Sequence, residues 1–155
     1  AIAGSLRPQW EIDALTGEVG SFNTPPSLRF DSAGPVGRGP AGIVGPDLEA
    51  RAGQPLALTV FASDDGAAER SIAGDGRANS PVNLLWFVHQ GAGAVTFAPP
   101  NPAAAADGRA STTATFAQAG TYMLRVRVND ASGVDNAGHQ QCCWTNGFVK
   151  VTVTP

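Results

Sequence analysis

The sequence predicts an all-β, antiparallel β-sandwich of about seven to nine strands behind a long irregular N-terminal arm. Three observations predict it. The stretch TFAQAGTYMLRVRVND, residues 115–130, sets a tight turn at Gln118–Gly120 before an alternating segment. There Tyr122, Leu124, Val126 and Val128 fall on one face and Met123, Arg125, Arg127 and Asn129 on the other, the period-two pattern of a half-buried strand. Glycine (19) and proline (12) make up about a fifth of the 155 residues, which favours turns over helices. Finally, short apolar segments recur between turn clusters, as in sandwiches and barrels.

The strand segments run in order. Gln54–Ser63 alternates Leu56, Leu58 and Val60, whereas Val82–His89 is a more continuous apolar run. Ala94–Ala98 is short and stops at Pro99-Pro100. Ala110–Ala117 is threonine-rich, as strands with one wet face often are. Thr121–Asn129 follows, and Phe148–Thr154 closes the chain with Val149, Val151 and Val153 set against Lys150 and Thr152. Asp64-Asp65-Gly66, Gly74-Asp75-Gly76, Gly91-Ala92-Gly93, Asp107-Gly108 and Asn146-Gly147 read as turns between them. Ahead of Asp47 the pattern changes. Residues 21–50 hold five Gly and five Pro, which disfavours regular structure. Residues 1–46 are therefore expected to form an extended arm and 47–155 the sandwich. Leu6–Ile12 and Ser27–Phe30 are the two short strand candidates within the arm, and Trp10, Phe22 and Phe30 are its candidate contacts.

Composition excludes some partners. The net charge is −3 without a cluster of Lys or Arg, so the concentrated basic face that phosphates need is missing and nucleic acid is not expected. No apolar run approaches the length of a membrane-spanning helix. The sequence begins Ala-Ile-Ala-Gly without a signal peptide, as a processed chain would. A β-rich composition with two adjacent cysteines points to an extracellular or periplasmic location.

Gln118-x-Gly120-x-Tyr122-x-Leu124 resembles the Asp-x-Gly-x-Tyr-x-Cys signature of immunoglobulin-like domains, with Gln in place of Asp and Leu in place of the core Cys. Trp86 stands where the family's core Trp stands, and Leu58 would face Leu124 where antibody domains carry a disulfide. Residues 47–155 resemble a bacterial Ig-like module of the PKD or cadherin-like kind, carried by Val60–Gly66, Leu85–Phe87 and Ala119–Asp130. The resemblance implies a tyrosine whose hydroxyl bonds back to the preceding corner. It also implies a role in surface display, adhesion, spacing or assembly.

Cys142-Cys143 is the oddest local feature. Neighbouring Cα atoms lie about 3.8 Å apart, closer than the roughly 5.5–6 Å a relaxed disulfide prefers. A vicinal disulfide, two free thiols and bonds to another chain all fit the sequence, with redox or metal chemistry a further reading. His139, three residues away, permits a soft-metal site, but the pair lacks the two-residue spacer of a redox or zinc motif. Cys142, Cys143, Trp144 and His139 all belong to the connection between the last two strands, whose equivalent in antibody variable domains is a binding loop.

Asp64, Asp65, Asp130, Asp135 and Asn136, with Asn129, gather at strand ends. Such oxygens suit a hard cation such as Ca²⁺, although Asp, Asn and Gly are also ordinary turn formers. No other cofactor is expected. Two histidines, His89 and His139, and no Gly-x-Ser-x-Gly or His-Glu-x-x-His motif leave catalysis without support. The sequence thus points to a non-catalytic, exported structural or interaction subunit, with protein partners or self-assembly. Its contacts would run through the arm and the Asp130–Asn146 loop. A carbohydrate-binding or adhesive domain, with Trp10 or Trp144 as an exposed anchor, is the alternative. A small metal or redox protein is the third reading.

Overall fold

The computed structural model describes residues 24–64, 82–130 and 144–155, with Asp130 described by its backbone alone. Nine strands are present among the described residues: β1 (Ser27–Arg29), β2 (Ile43–Val44), β3 (Leu48–Arg51), β4 (Pro55–Ser63), β5 (Val82–Gln90), β6 (Val95–Ala98), β7 (Arg109–Phe116), β8 (Gly120–Asp130) and β9 (Trp144–Thr154). One sheet has the order β1-β4-β7-β6 and the other β2-β9-β8-β5, with β3 also paired to β9. In immunoglobulin lettering, taking β1 as A and β4 to β9 as B to G, these are the A-B-E-D and G-F-C sheets of a constant-type domain. The chain is an Ig-like β-sandwich. One edge adds to the antiparallel plan: β2 and β3 run parallel to β9.

The alternating pattern decides what is inside. Tyr122, Leu124, Val126 and Val128 of β8 are all buried, as are Val149, Val151 and Val153 of β9. They meet Leu58, Val60 and Ala62 of β4 and Ala114 and Phe116 of β7 in one core. Trp86 lies in it with its ring stacked on Phe97 at 6.3 Å. Its backbone N–H donates to the Pro100 carbonyl at 2.9 Å, outside the β5–β8 ladder. At the β7–β8 corner the Tyr122 hydroxyl donates to the Gln118 carbonyl at 2.8 Å, and its ring packs edge-on against Phe116 at 4.8 Å. Gly91 lets that ring in, since a Cβ there would stand 2.3 Å from Tyr122 Cδ1. Gly120 turns the chain with φ +148°.

Two sequence expectations are corrected. The domain does not begin at Asp47. Ser27, Leu28 and Arg29 pair with Ser63, Ala62 and Phe61 of β4, Leu28 is 0% exposed in the core, and β2 pairs with β9. Residues 24–46 are thus part of the sandwich, and Phe30, expected as an arm contact, packs against its own core. Glycines and prolines in this stretch do their work at the crossover between sheets, where Gly37 bridges back to Leu28. The second correction concerns Asn146-Gly147. It is no turn but the interior of β9, which starts at Trp144 and pairs with β8 throughout. Gly147 is required by a close approach: a Cβ would meet Leu28 Cδ2 at 2.7 Å, Val126 Cγ1 at 2.8 Å and Phe30 Cζ at 2.9 Å.

Pairing also orients the ends. Ser63 pairs with Ser27, the Pro26 carbonyl accepts from Thr145 Oγ1, Trp144 pairs with Asn129, and Asp130 with Val82. The end of β4, the start of β5, the end of β8 and the start of β9 therefore share one pole of the sandwich. Residues 65–81 and 131–143, outside the described residues, connect there.

Removing the corner hydroxyl in Tyr122→Phe is expected to cost about 1 kcal/mol of unfolding free energy, measured by denaturant titration. Gly147→Ala, which overpacks β9 against Leu28 and Phe30, is expected to cost about 1–3 kcal/mol in the same measurement. A true turn glycine with free space around it would show no such steric loss.

Candidate functional site

Because the even positions of β8 face the core, its odd positions face outward from the five-stranded sheet. Register lines them up with the outward residues of β5 and β9. Arg127 stands between Leu85 and Asn146, Arg125 between Phe87 and Phe148, and Met123 beside Lys150. Val44 of β2, opposite Phe148, is 70% exposed. The outward residues of β5, β8 and β9 carry Arg125, Arg127 and Lys150 and no carboxylate; Asp47, at 3.4 Å from Lys150 Nζ, belongs to the adjoining loop.

Arg125 is the centre of this face. Its guanidinium carbon lies 5.1 Å from the Phe87 ring centre and 5.9 Å from that of Phe148, within cation–π range of both. Phe148 is met on edge by His89 at 5.4 Å. Nε and Nη2 of Arg125 both donate to Asn146 Oδ1, at 3.0 and 2.7 Å. Among the described residues Nη1 has no hydrogen-bond partner. Partial burial lowers the Arg125 pKa below its ordinary value, and the like charge of Arg127 adds to the effect. An arginine so placed still stays protonated at physiological pH, so the face keeps its charge.

Asn146 is itself held. It is 4% exposed, and its Nδ2 donates to the Pro40 carbonyl at 2.6 Å, which fixes Oδ1 toward Arg125. Thr145 beside it accepts from Gly39 N at 2.9 Å and donates to the Pro26 carbonyl. Gly42, at φ +65°, lets the crossover lie directly on β9: a Cβ there would fall 1.9 Å from the Asn146 carbonyl oxygen. Arg125 is thus oriented by strands and a pinned crossover rather than by a free loop, a preorganised cation between two rings.

The residues singled out from sequence are distributed unevenly. Gln118, Gly120, Tyr122, Leu124 and Trp86 form the corner and core. Trp144 opens β9 opposite Asn129, half-buried. Asn129 is 6% exposed, with Nδ2 unpartnered among the described residues. Asp64 follows β4, and the Asp130 backbone ends β8 at the same pole. Trp10, Phe22, Asp65, Asp135, Asn136, His139, Cys142 and Cys143 lie outside the described residues. No group of three metal-ligating side chains stands together among the described residues. The sequence does not single out Arg125, Phe87, Phe148 and Asn146 together. The alternation puts Arg125 on the wet face, but only the β8–β9 register brings Phe148 and Asn146 beside it. A shallow cavity of about 190 Å³ lies across the other sheet, between Ser27, Phe61, Ser63 and Asp107. It is smaller than the roughly 300 Å³ at which small-molecule pockets begin.

No family model matches the chain, and no curated protein matches it. Among solved structures it is similar to domains 4 and 5 of the S-layer protein SbsC, at 12% identity over 72% of this chain and 49% of that one, with TM-score 0.43. It is likewise similar to the D00-D0 domain of intimin, at 13% identity over 72% and 45% of the two chains, with TM-score 0.43. The PKD domain of the KIAA 1837 protein is 21% identical over 80% of this chain and 92% of that one, with TM-score 0.39. The chain spans about half the length of the first two. At these values the likeness is one of general architecture and carries nothing about binding.

If the two rings and Asn146 hold Arg125 as described, Arg125→Ala is expected to cost about 1 kcal/mol of stability, from two partly exposed cation–π contacts. Asn146→Ala, which also leaves the Pro40 carbonyl without its donor, is expected to cost more, about 1–3 kcal/mol. Denaturant titration of the two variants checks the order.

Proposed function

We propose that the chain is a non-catalytic, exported interaction module, a subunit of a larger extracellular or periplasmic assembly of bacterial origin. Its binding surface is the outer face of β5, β8 and β9. The observation that carries this reading is the Arg125 bracket. An arginine fixed between Phe87 and Phe148, with Nη1 unpartnered among the described residues, joins a charged donor to half-buried aromatic area on rigid strands. That combination is enriched among the few residues that dominate protein interfaces. Its ordering cost is already met in the free domain, so more of the contact energy is left for association. The N-terminal arm and the 131–143 connection, which leaves from one pole of the same sheet, supply the remaining contacts.

Sedimentation velocity over a concentration series tests the reading. Wild-type protein is expected to associate, and Arg125→Ala to weaken association by at least about tenfold, equivalent to about 1.4 kcal/mol, while remaining folded. Association that is unchanged in the folded variant would overturn the proposal.

A further inference from the structure

The geometry points to residues 1–23 of a second copy of this chain as the occupant of the Arg125 face, with Trp10-Glu11-Ile12-Asp13 as the contacting stretch. This rests on the reading above that the face binds. Charge complementarity is the first support. The face presents Arg125 beside the rings of Phe87 and Phe148, with Arg127 two positions along β8 and Lys150 of β9 already paired to Asp47. Residues 1–23 contain Glu11, Asp13 and Glu18 against Arg7 alone, with Trp10 and Ile12 interleaved with the first two acids. An aromatic, a branched apolar side chain and two carboxylates within four residues match a surface of arginines and phenylalanines. Carboxylate–guanidinium pairing and ring stacking on Arg are the contacts that result.

The exit of the chain is the second support. Pro26 is fixed by Thr145 and Pro25 by Arg38 Nη1, whose bond to the Pro25 carbonyl is 2.9 Å. Thr24 and Pro25 each precede a proline, which holds them extended. Since β1 runs antiparallel to β4 from the pole inward, Thr24–Pro26 lead back to the pole, where Pro26 lies against Thr145, whereas Arg125 stands five residues in from the pole-side end of β8. Pro26 lies thirteen positions after Asp13, a reach of up to roughly 43–47 Å. That is enough to span to a neighbouring sandwich.

The chain's single lysine, Lys150, makes the contact testable in the intact protein. Equal amounts of isotope-labelled and unlabelled full-length chain are mixed and treated with a zero-length carbodiimide. Linked peptides are then identified by mass spectrometry. A Lys150–Asp47 link serves as the internal control, since those groups lie 3.4 Å apart. The expected result is links from Lys150 to Glu11 or Asp13 that include labelled–unlabelled hybrids in statistical proportion. They should fall at least about tenfold in Arg125→Glu and in Trp10→Ala. Links confined to one isotope would place the segment on its own chain and overturn the inference, as would links to Asp47 alone. The double variant Glu11→Gln, Asp13→Asn separates the two ideas. If Arg125→Glu abolishes association and the double variant does not, the face binds something else: this inference falls and the functional reading stands. If neither variant changes association, both fall.

Discussion

Three consecutive residues of β9 hold the molecule together. Thr145, Asn146 and Gly147 receive the crossover by which the chain passes from one sheet to the other. Thr145 ties down Pro26 and Gly39, Asn146 binds Pro40, and Gly147 leaves room for Leu28 and Phe30 to cross the gap. Without that contact β1 would have no fixed path to β2, and the edge of the core beside β9 would open. The same crossover sets the Asn146 amide and, through it, Arg125. A structural joint and the surface chemistry therefore share one segment, so changes intended to test the surface act on the joint as well. Arg125 is the better probe because it sits one contact further out.

The face described here depends on like charges kept close. Arg125 and Arg127 are two residues apart on one strand, and the outward positions around them supply no carboxylate. Rings offset part of that cost, as the negative faces of Phe87 and Phe148 attract the guanidinium. On the proposed reading, such a surface favours an anionic partner. Its association should weaken as salt rises, because exposed charges more than about 10 Å apart are screened at ordinary ionic strength.

Much of the fold is legible in the sequence because its strongest signal is local. Period-two alternation in Leu56–Val60, Tyr122–Val128 and Val149–Val153 reports burial directly, and the Gln118–Tyr122 corner reports connectivity. What escapes is decided by partners far along the chain. Asn146-Gly147 has the composition of a hairpin turn, yet tertiary packing overrides it. The glycine is needed for Leu28, about 120 residues earlier, and not for a positive φ. Residues 27–46 read as an irregular arm because their strands are two or three residues long and draw their stability from β4 and β9. The Arg125 cluster stays hidden for the same reason: its four members come from three strands, and register cannot be read from any one of them.

The hydrogen bond from Trp86 N–H to the Pro100 carbonyl has a consequence for how copies of this domain meet. Strand β5 is long, contains no Lys, Arg, Asp, Glu or Pro, and ends its sheet among the described residues, features that invite another chain to add on. A proline-rich connection laid against its midpoint takes the central donor of that edge. Proline is suited to the task, since it offers a carbonyl while presenting no N–H to start a new ladder. Lateral growth of the sheet is thereby blocked where it would be easiest to begin. Neighbours are left to meet through side chains, whose identities can be selected, and not through backbone, which any strand can match.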